Sequence, residues 1–170
     1  MRKTLDALYA ASLWLAGLSM IGVLLMVLLS IASRLLGFSA AGSDAYAGYA
    51  MAGAGFLALA GTLKSGEHIR VTLVLGMLRG RARRALEIAA LAIASLLSAF
   101  LAYYSARLVW QSYQFNDIST ASDATPMWIP QLLMATGTLV LSIAFIDELL
   151  LALRGQSRLA SLQQEERHHE

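Results

Sequence analysis

Four stretches of this 170-residue chain, about Leu8 to Ser33, Ala45 to Leu63, Ala85 to Trp110 and Met127 to Leu153, run on as mostly apolar sequence with few charges. A helix that spans a bilayer needs roughly 20 such residues, and each window is long enough. Lipid offers no partners to unpaired backbone N–H and C=O groups, so windows of this kind predict α-helices rather than irregular chain. Composition agrees, with 58% hydrophobic and 14% charged residues, against about 25% charged in a soluble domain. The chain therefore reads as an all-α integral membrane protein with one four-helix domain over 1–155 and a charged tail over 156–170.

Arg2 and Lys3 precede the first window, as in a secretory signal. The apolar run exceeds the 7–15-residue core of such signals, and no clear small-x-small cleavage site precedes the polar loop, so helix 1 is expected to stay. With no Cys there is no disulfide framework and no thiolate metal site. A net charge of +2 is too small to argue for nucleic acid.

Where the basic residues sit is more telling. Arg2 and Lys3 precede helix 1, while Lys64, Arg70, Arg79, Arg81, Arg83 and Arg84 lie between helices 2 and 3. Arg154, Arg158 and Arg167 follow helix 4, which makes eleven on one side against Arg34 and Arg107 near the other. The opposite loops carry Asp44, Asp117 and Asp123. By the positive-inside rule, both termini and the middle loop are expected in the cytoplasm.

That middle loop contains an apolar run from Ile69 to Leu78, followed by Arg79, Arg81, Arg83 and Arg84. Ten residues are too few to cross a bilayer. An apolar segment flanked by arginines suits an interfacial helix, placed at about 69–80, with guanidinium groups at the head groups. The alternative is a simple extension of helix 2 or helix 3 beyond the membrane.

Helix 3 carries Ala90, Ala94, Ser98, Ala102 and Ala106 at successive i+4 steps, with Ala92, Ser95 and Ala99 as further small positions. Helix 2 has Ala50, Ala54 and Ala58 in one row, with Gly48, Ala52, Gly53, Gly55 and Gly61 around it. In lipid, helices associate through close van der Waals contact, which small side chains permit. Helices 2 and 3 are therefore expected to pack closely, against each other or against a partner subunit. Helix 1, rich in Leu, Ile, Val and Met, suits lipid or a large apolar partner.

Transport chemistry usually needs an ionisable residue near mid-membrane. Helix 1 has none between Asp6 and Arg34, and helix 2 none between Asp44 and Lys64. Glu87 and Arg107 lie near the ends of helix 3, and Asp147 and Glu148 near the end of helix 4. The prolines, Pro126 and Pro130, fall at the start of helix 4, not at the mid-membrane breaks that form transporter sites. His68, His168 and His169 make no ligand set, and no phosphate loop, nucleophile elbow or His-Glu metal pair is present. No catalysis and no translocation site are expected of this chain by itself.

Two strings carry a family resemblance. Gly66-Glu67-His68-Ile69-Arg70-Val71-Thr72-Leu73 resembles the Gly-x-His-Ile-Arg-Val-Asp-Leu signature of the small membrane subunit of tripartite ATP-independent periplasmic (TRAP) transporters. Thr125-Pro126-Met127-Trp128-Ile129-Pro130-Gln131, with Gly137, is similar to that family's start of the last helix. Asp44 resembles the acidic residue before helix 2, usually Glu. Thr72 stands where the family usually has Asp.

The resemblance implies a non-catalytic scaffold for a large transport subunit that carries the substrate and Na⁺ sites, with no cofactor in this chain. It also implies a periplasmic binding protein that delivers the solute, often an organic acid, and a location in the bacterial inner membrane. Trp128 would then anchor at the outer interface. Two other readings stay open: a small self-sufficient four-helix transporter, and an assembly or signalling adaptor.

Overall fold

The computed structural model describes residues 2–64 and 81–155. Among these it has four helices: α1 (Arg2–Leu36), α2 (Ser43–Lys64), α3 (Arg81–Gln114) and α4 (Trp128–Leu153). All four are long and apolar enough to cross a membrane. The expected interfacial segment 69–80 and the tail 156–170 lie outside the described residues, as do Gly66, His68 and Arg70.

The helix ends follow local chemistry. Gly37 adopts φ +72° just past α1, and the Phe38 N–H donates to Ser33 O at 3.1 Å. This left-handed closure pairs carbonyls that the helix itself leaves free. Asn116 plays the same part after α3, with φ 52° and the Asp117 N–H donating to Ser112 O at 3.0 Å. Asn is the usual substitute for Gly in this conformation. Pro130 lies in the first turn of α4, where a missing N–H breaks no helical bond.

The helices form two antiparallel hairpins, α1–α2 and α3–α4, joined where α2 packs along α4. The order across the bundle is α1–α2–α4–α3. Helix α1 approaches α4 only slightly, and α3 approaches neither α1 nor α2. Of the two packings that the small rows on helices 2 and 3 allowed, contact between those helices is thus absent: α3 lies on α4. The core clusters show α4 at the centre. Its Val140, Leu141 and Ala144 pack with Tyr9 of α1 and with Ala60 and Leu63 of α2. Phe145 joins that cluster and also meets the one formed by Leu91 of α3 and Ala152.

Each outer helix makes contact through a seam spaced alternately three and four residues apart. On α3 the seam is Leu91, Ser95, Ser98, Ala102, Ser105 and Ser112, all buried, with Val109 half-buried between the last two. On α1 it runs Tyr9, Ser12, Ala16, Ser19, with Ser30 and Ser33 buried farther along. A strict i+4 row advances about 40° per step around a 3.6-residue helix, so it leaves the seam within a few turns. Of the i+4 row on helix 3, Ser98 and Ala102 are therefore buried and Ala94 is half-buried. Ala90 and Ala106 face outward. Outside its seam α1 is bare: Trp14 is 81% and Leu18 64% exposed.

Helices α2 and α4 approach closely, backbone against glycine. A Cβ on Gly137 would lie 2.5 Å from both the carbonyl carbon and the oxygen of Phe56. One on Gly53 would lie 2.9 Å from Leu133 Cδ1 and 3.3 Å from Ser19 Oγ. Gly61 likewise abuts Leu13 of α1. These glycines let backbones approach where lipid gives no hydrophobic drive to associate.

Candidate functional site

Polar and charged side chains gather at the two ends of the bundle. At the end that holds the first turn of α1, Lys64 at the close of α2 pairs with Asp6 at 2.5 Å. Its ammonium also stands 5.2 Å from the centre of the Tyr9 ring. Nearby, Ser12 Oγ donates across the helices to Leu57 O at 2.5 Å. Arg84 Nη2 donates to Leu153 O at 3.2 Å, placing a cation at the negative end of α4. Glu148 is buried on α4 toward this end.

The opposite end carries the two linkers, 37–42 and 115–127, and they are fastened to each other and to α2. The Tyr49 hydroxyl lies 2.9 Å from Ser119 Oγ and 3.1 Å from Asp123 Oδ2. Ser119 Oγ donates to Asp123 Oδ1 at 2.8 Å, and Thr125 Oγ1 stands 3.1 Å from the Tyr46 hydroxyl. Hydrogen bonds, first from Thr125 and then from Ser119 and Tyr49, hold the Asp123 carboxyl below its ordinary range. Gly42, at φ +84°, fits against Asp123 so closely that a Cβ there would lie 2.7 Å from the Asp123 Cβ. A single antiparallel bridge, Ile118 to Pro126, closes the longer linker.

The sequence-predicted residues fall into this frame unevenly. Asp44, in the first turn of α2, accepts from Ser30 Oγ at 2.8 Å and faces Arg34 at 3.7 Å. Trp128 opens α4 and meets the Tyr113 ring edge-on, with centroids 5.9 Å apart. Pro126 accepts from the Ile129 N–H at 3.2 Å as α4 begins. Gly137, little more than a third of the way along α4, sits at the α2 crossing. Asp44, Pro126, Trp128 and Pro130 thus gather at one end, Gly137 lies in the interior, and Ser98 and Ala102 line a different contact.

The sequence marks Asp123 as an acidic loop residue and Thr125 as the start of the Thr125 to Gln131 string, but not their meeting with Tyr49 and Ser119. Tyr49 and Ser119 are 70 positions apart, and nothing in the residues announces their meeting. The serines of α3 carried a better signal, since Ser95, Ser98, Ala102 and Ser105 already show seam spacing. No three His, Cys, Asp or Glu residues cluster as a metal site among the described residues. What this arrangement can do is hold four helices in fixed register while presenting broad apolar faces outward.

The fold defines a class: a small all-α protein with four helices long and apolar enough to cross a membrane. Residues 23–155 match the family described as tripartite ATP-independent periplasmic transporters, DctQ component, and the chain belongs to that family. It is a transporter component, not an enzyme. No curated protein matches the chain.

Proposed function

We propose that this protein is the non-catalytic scaffold of a TRAP transporter, holding a large transport subunit in the inner membrane during Na⁺-driven uptake of an organic acid. A periplasmic binding protein would deliver that solute, and the Na⁺ sites would lie in the large subunit. The observation that carries the reading is the separation of polar from apolar surface. Charges of α1 and α2 sit at the bundle ends, whereas Trp14, Leu18, Leu96 and Tyr103 turn outward, each more than 60% exposed. Specific contact with another helix needs shape more than apolarity. Gly48, Ala52 and Gly55 of α2 supply it, for all three are exposed, and a Cβ on Gly48 or Gly55 would meet nothing within 4 Å.

The eleven-to-two split of basic residues supports a membrane orientation with both termini and Arg81 in the cytoplasm, and the two fastened linkers in the periplasm. His68 and Arg70 would then belong to the cytoplasmic interface. Affinity purification of the tagged chain from its native membrane tests the assignment, with a stoichiometric large membrane subunit as the expected result. Proteoliposomes containing this chain alone should take up no solute with or without a Na⁺ gradient. Gradient-driven uptake by the lone chain would overturn the scaffold reading and favour a self-sufficient transporter.

A further inference from the structure

Between the end of α1 and the start of α2 lies an open cleft of about 340 Å³, which Ala121 and Ser122 of the longer linker also line. Its working residues are Ser30, Ser33, Arg34, Phe38, Ser43 and Asp44. Nothing in the scaffold role requires it. Because it lies where two spanning helices end, it sits at a membrane–water boundary whichever way the chain is oriented.

Its two charges are only loosely joined. Arg34 and Asp44 stand 3.7 Å apart with side chains 78% and 77% exposed. Charge-assisted N–H···O bonds run to about 2.7–2.9 Å, so neither group is saturated by the other. Asp44 Oδ1 is fixed by Ser30 at 2.8 Å, which leaves Oδ2 facing the cleft mouth and the guanidinium. Ser43 lines the cleft at 6% exposure, at the start of α2. The first-turn amides of α2 add partial positive charge beside Arg34.

A cation and an anion at one mouth, each with spare hydrogen-bonding capacity, match a ligand that carries both signs. The apolar side chains beside the cleft favour a lipid over a soluble molecule. Phe38, 47% exposed, lines the cleft, and the adjoining end of α1 exposes Leu35 at 80% and Leu36 at 76%, apolar surface beside which acyl chains would run. We propose that this cleft binds the head group of an ethanolamine phospholipid. The phosphate is taken by Arg34, Ser43 and the start of α2, and the ammonium by Asp44. A choline head group has no N–H to give Asp44. A glycerol head group has no cation and sets its phosphate against the carboxylate.

The test is native mass spectrometry of the detergent-purified full chain, given ethanolamine, choline or glycerol phospholipids with identical acyl chains. About tenfold greater retention of the ethanolamine lipid is expected, since one charge-assisted bond distinguishes it, and tenfold corresponds to about 1.4 kcal/mol. Arg34→Ala and Asp44→Asn should each reduce that retention to the choline level while helical circular dichroism stays unchanged. Equal retention of the three lipids by the unmodified chain would overturn the proposal without recourse to any variant. So would full retention by Arg34→Ala, or equally tight binding of soluble phosphoethanolamine, which would exclude a lipid as the source. Co-purification of a large subunit does not depend on these outcomes, so the scaffold reading and this one fail separately.

Discussion

Gly137→Ala should weaken the joint between the two hairpins, and its cost can be worked from the crossing. The added Cβ would lie 2.5 Å from the Phe56 carbonyl carbon and oxygen, whereas ordinary contact begins near 3.4 Å. The shortfall is therefore about 0.9 Å. It falls on backbone inside a helix, which has no rotamer into which it can retreat, so α2 and α4 must separate. Overpacking of this kind costs about 1–3 kcal/mol. At roughly 2–4 °C per kcal/mol for a chain of this size, the melting temperature in detergent should fall by about 2–12 °C. Gly55→Ala is the matched control, because a Cβ there meets nothing within 4 Å. Replacing a mid-helix Gly with Ala favours the helix by about 0.5–1 kcal/mol, so this variant should melt no lower than the parent. The readout is fluorescence-detected size-exclusion chromatography of the isolated chain after heating. If Gly137→Ala melts within a degree of the parent while Gly55→Ala behaves as stated, the crossing is not where the hairpins are held, and the reasoning fails.

Three further outcomes follow from other contacts. Ala102→Leu should destabilise the isolated chain by obstructing the α3–α4 seam, whereas Ala106→Leu, on the outward face, should leave its melting unchanged; a common effect of both would contradict the seam. The Asp123 carboxyl is held below its ordinary range by hydrogen bonds, so the unfolded chain binds its proton more readily and stability should rise with pH. That contribution is complete above the unfolded carboxylate range and is lost as pH falls through the lower native value. Hydrogen-exchange protection across 115–127, taken relative to the unstructured-peptide rate at each pH, should fall as pH drops through the native Asp123 range, and Asp123→Asn should remove that part of the pH dependence. For orientation, Ser39→Cys and Thr120→Cys, both on exposed linker positions, should react with an impermeant reagent from the periplasm and Arg81→Cys should not. Labelling of Arg81→Cys from outside would reverse the assigned sidedness.

The number and approximate span of the helices were legible in the residues, because lipid leaves an apolar run of this length one way to satisfy its backbone. The strings that carry the resemblance, Gly66 to Leu73 and Thr125 to Gln131 with Gly137, were also visible. Spacing alone did not show which small residues would touch. Once every face of a helix is apolar, hydrophobic periodicity no longer marks the buried side, and an i+4 row such as Ala90 to Ala106 looks as good as the seam through Ser95, Ser98, Ala102 and Ser105. The choice was made by α4, which offers α3 one surface and α2 another. The same holds at the linker end, where Tyr49 reaches Ser119 and Asp123 from more than 60 residues away. Composition and charge determined that this chain spans the bilayer and where its polar ends lie. Tertiary packing alone decided that α4 is central, that α2 and α3 never meet, and that Arg34 and Asp44 share one cleft. Those outcomes depend on which helix faces meet, and a sequence that is apolar on every face does not mark them until the helices have docked.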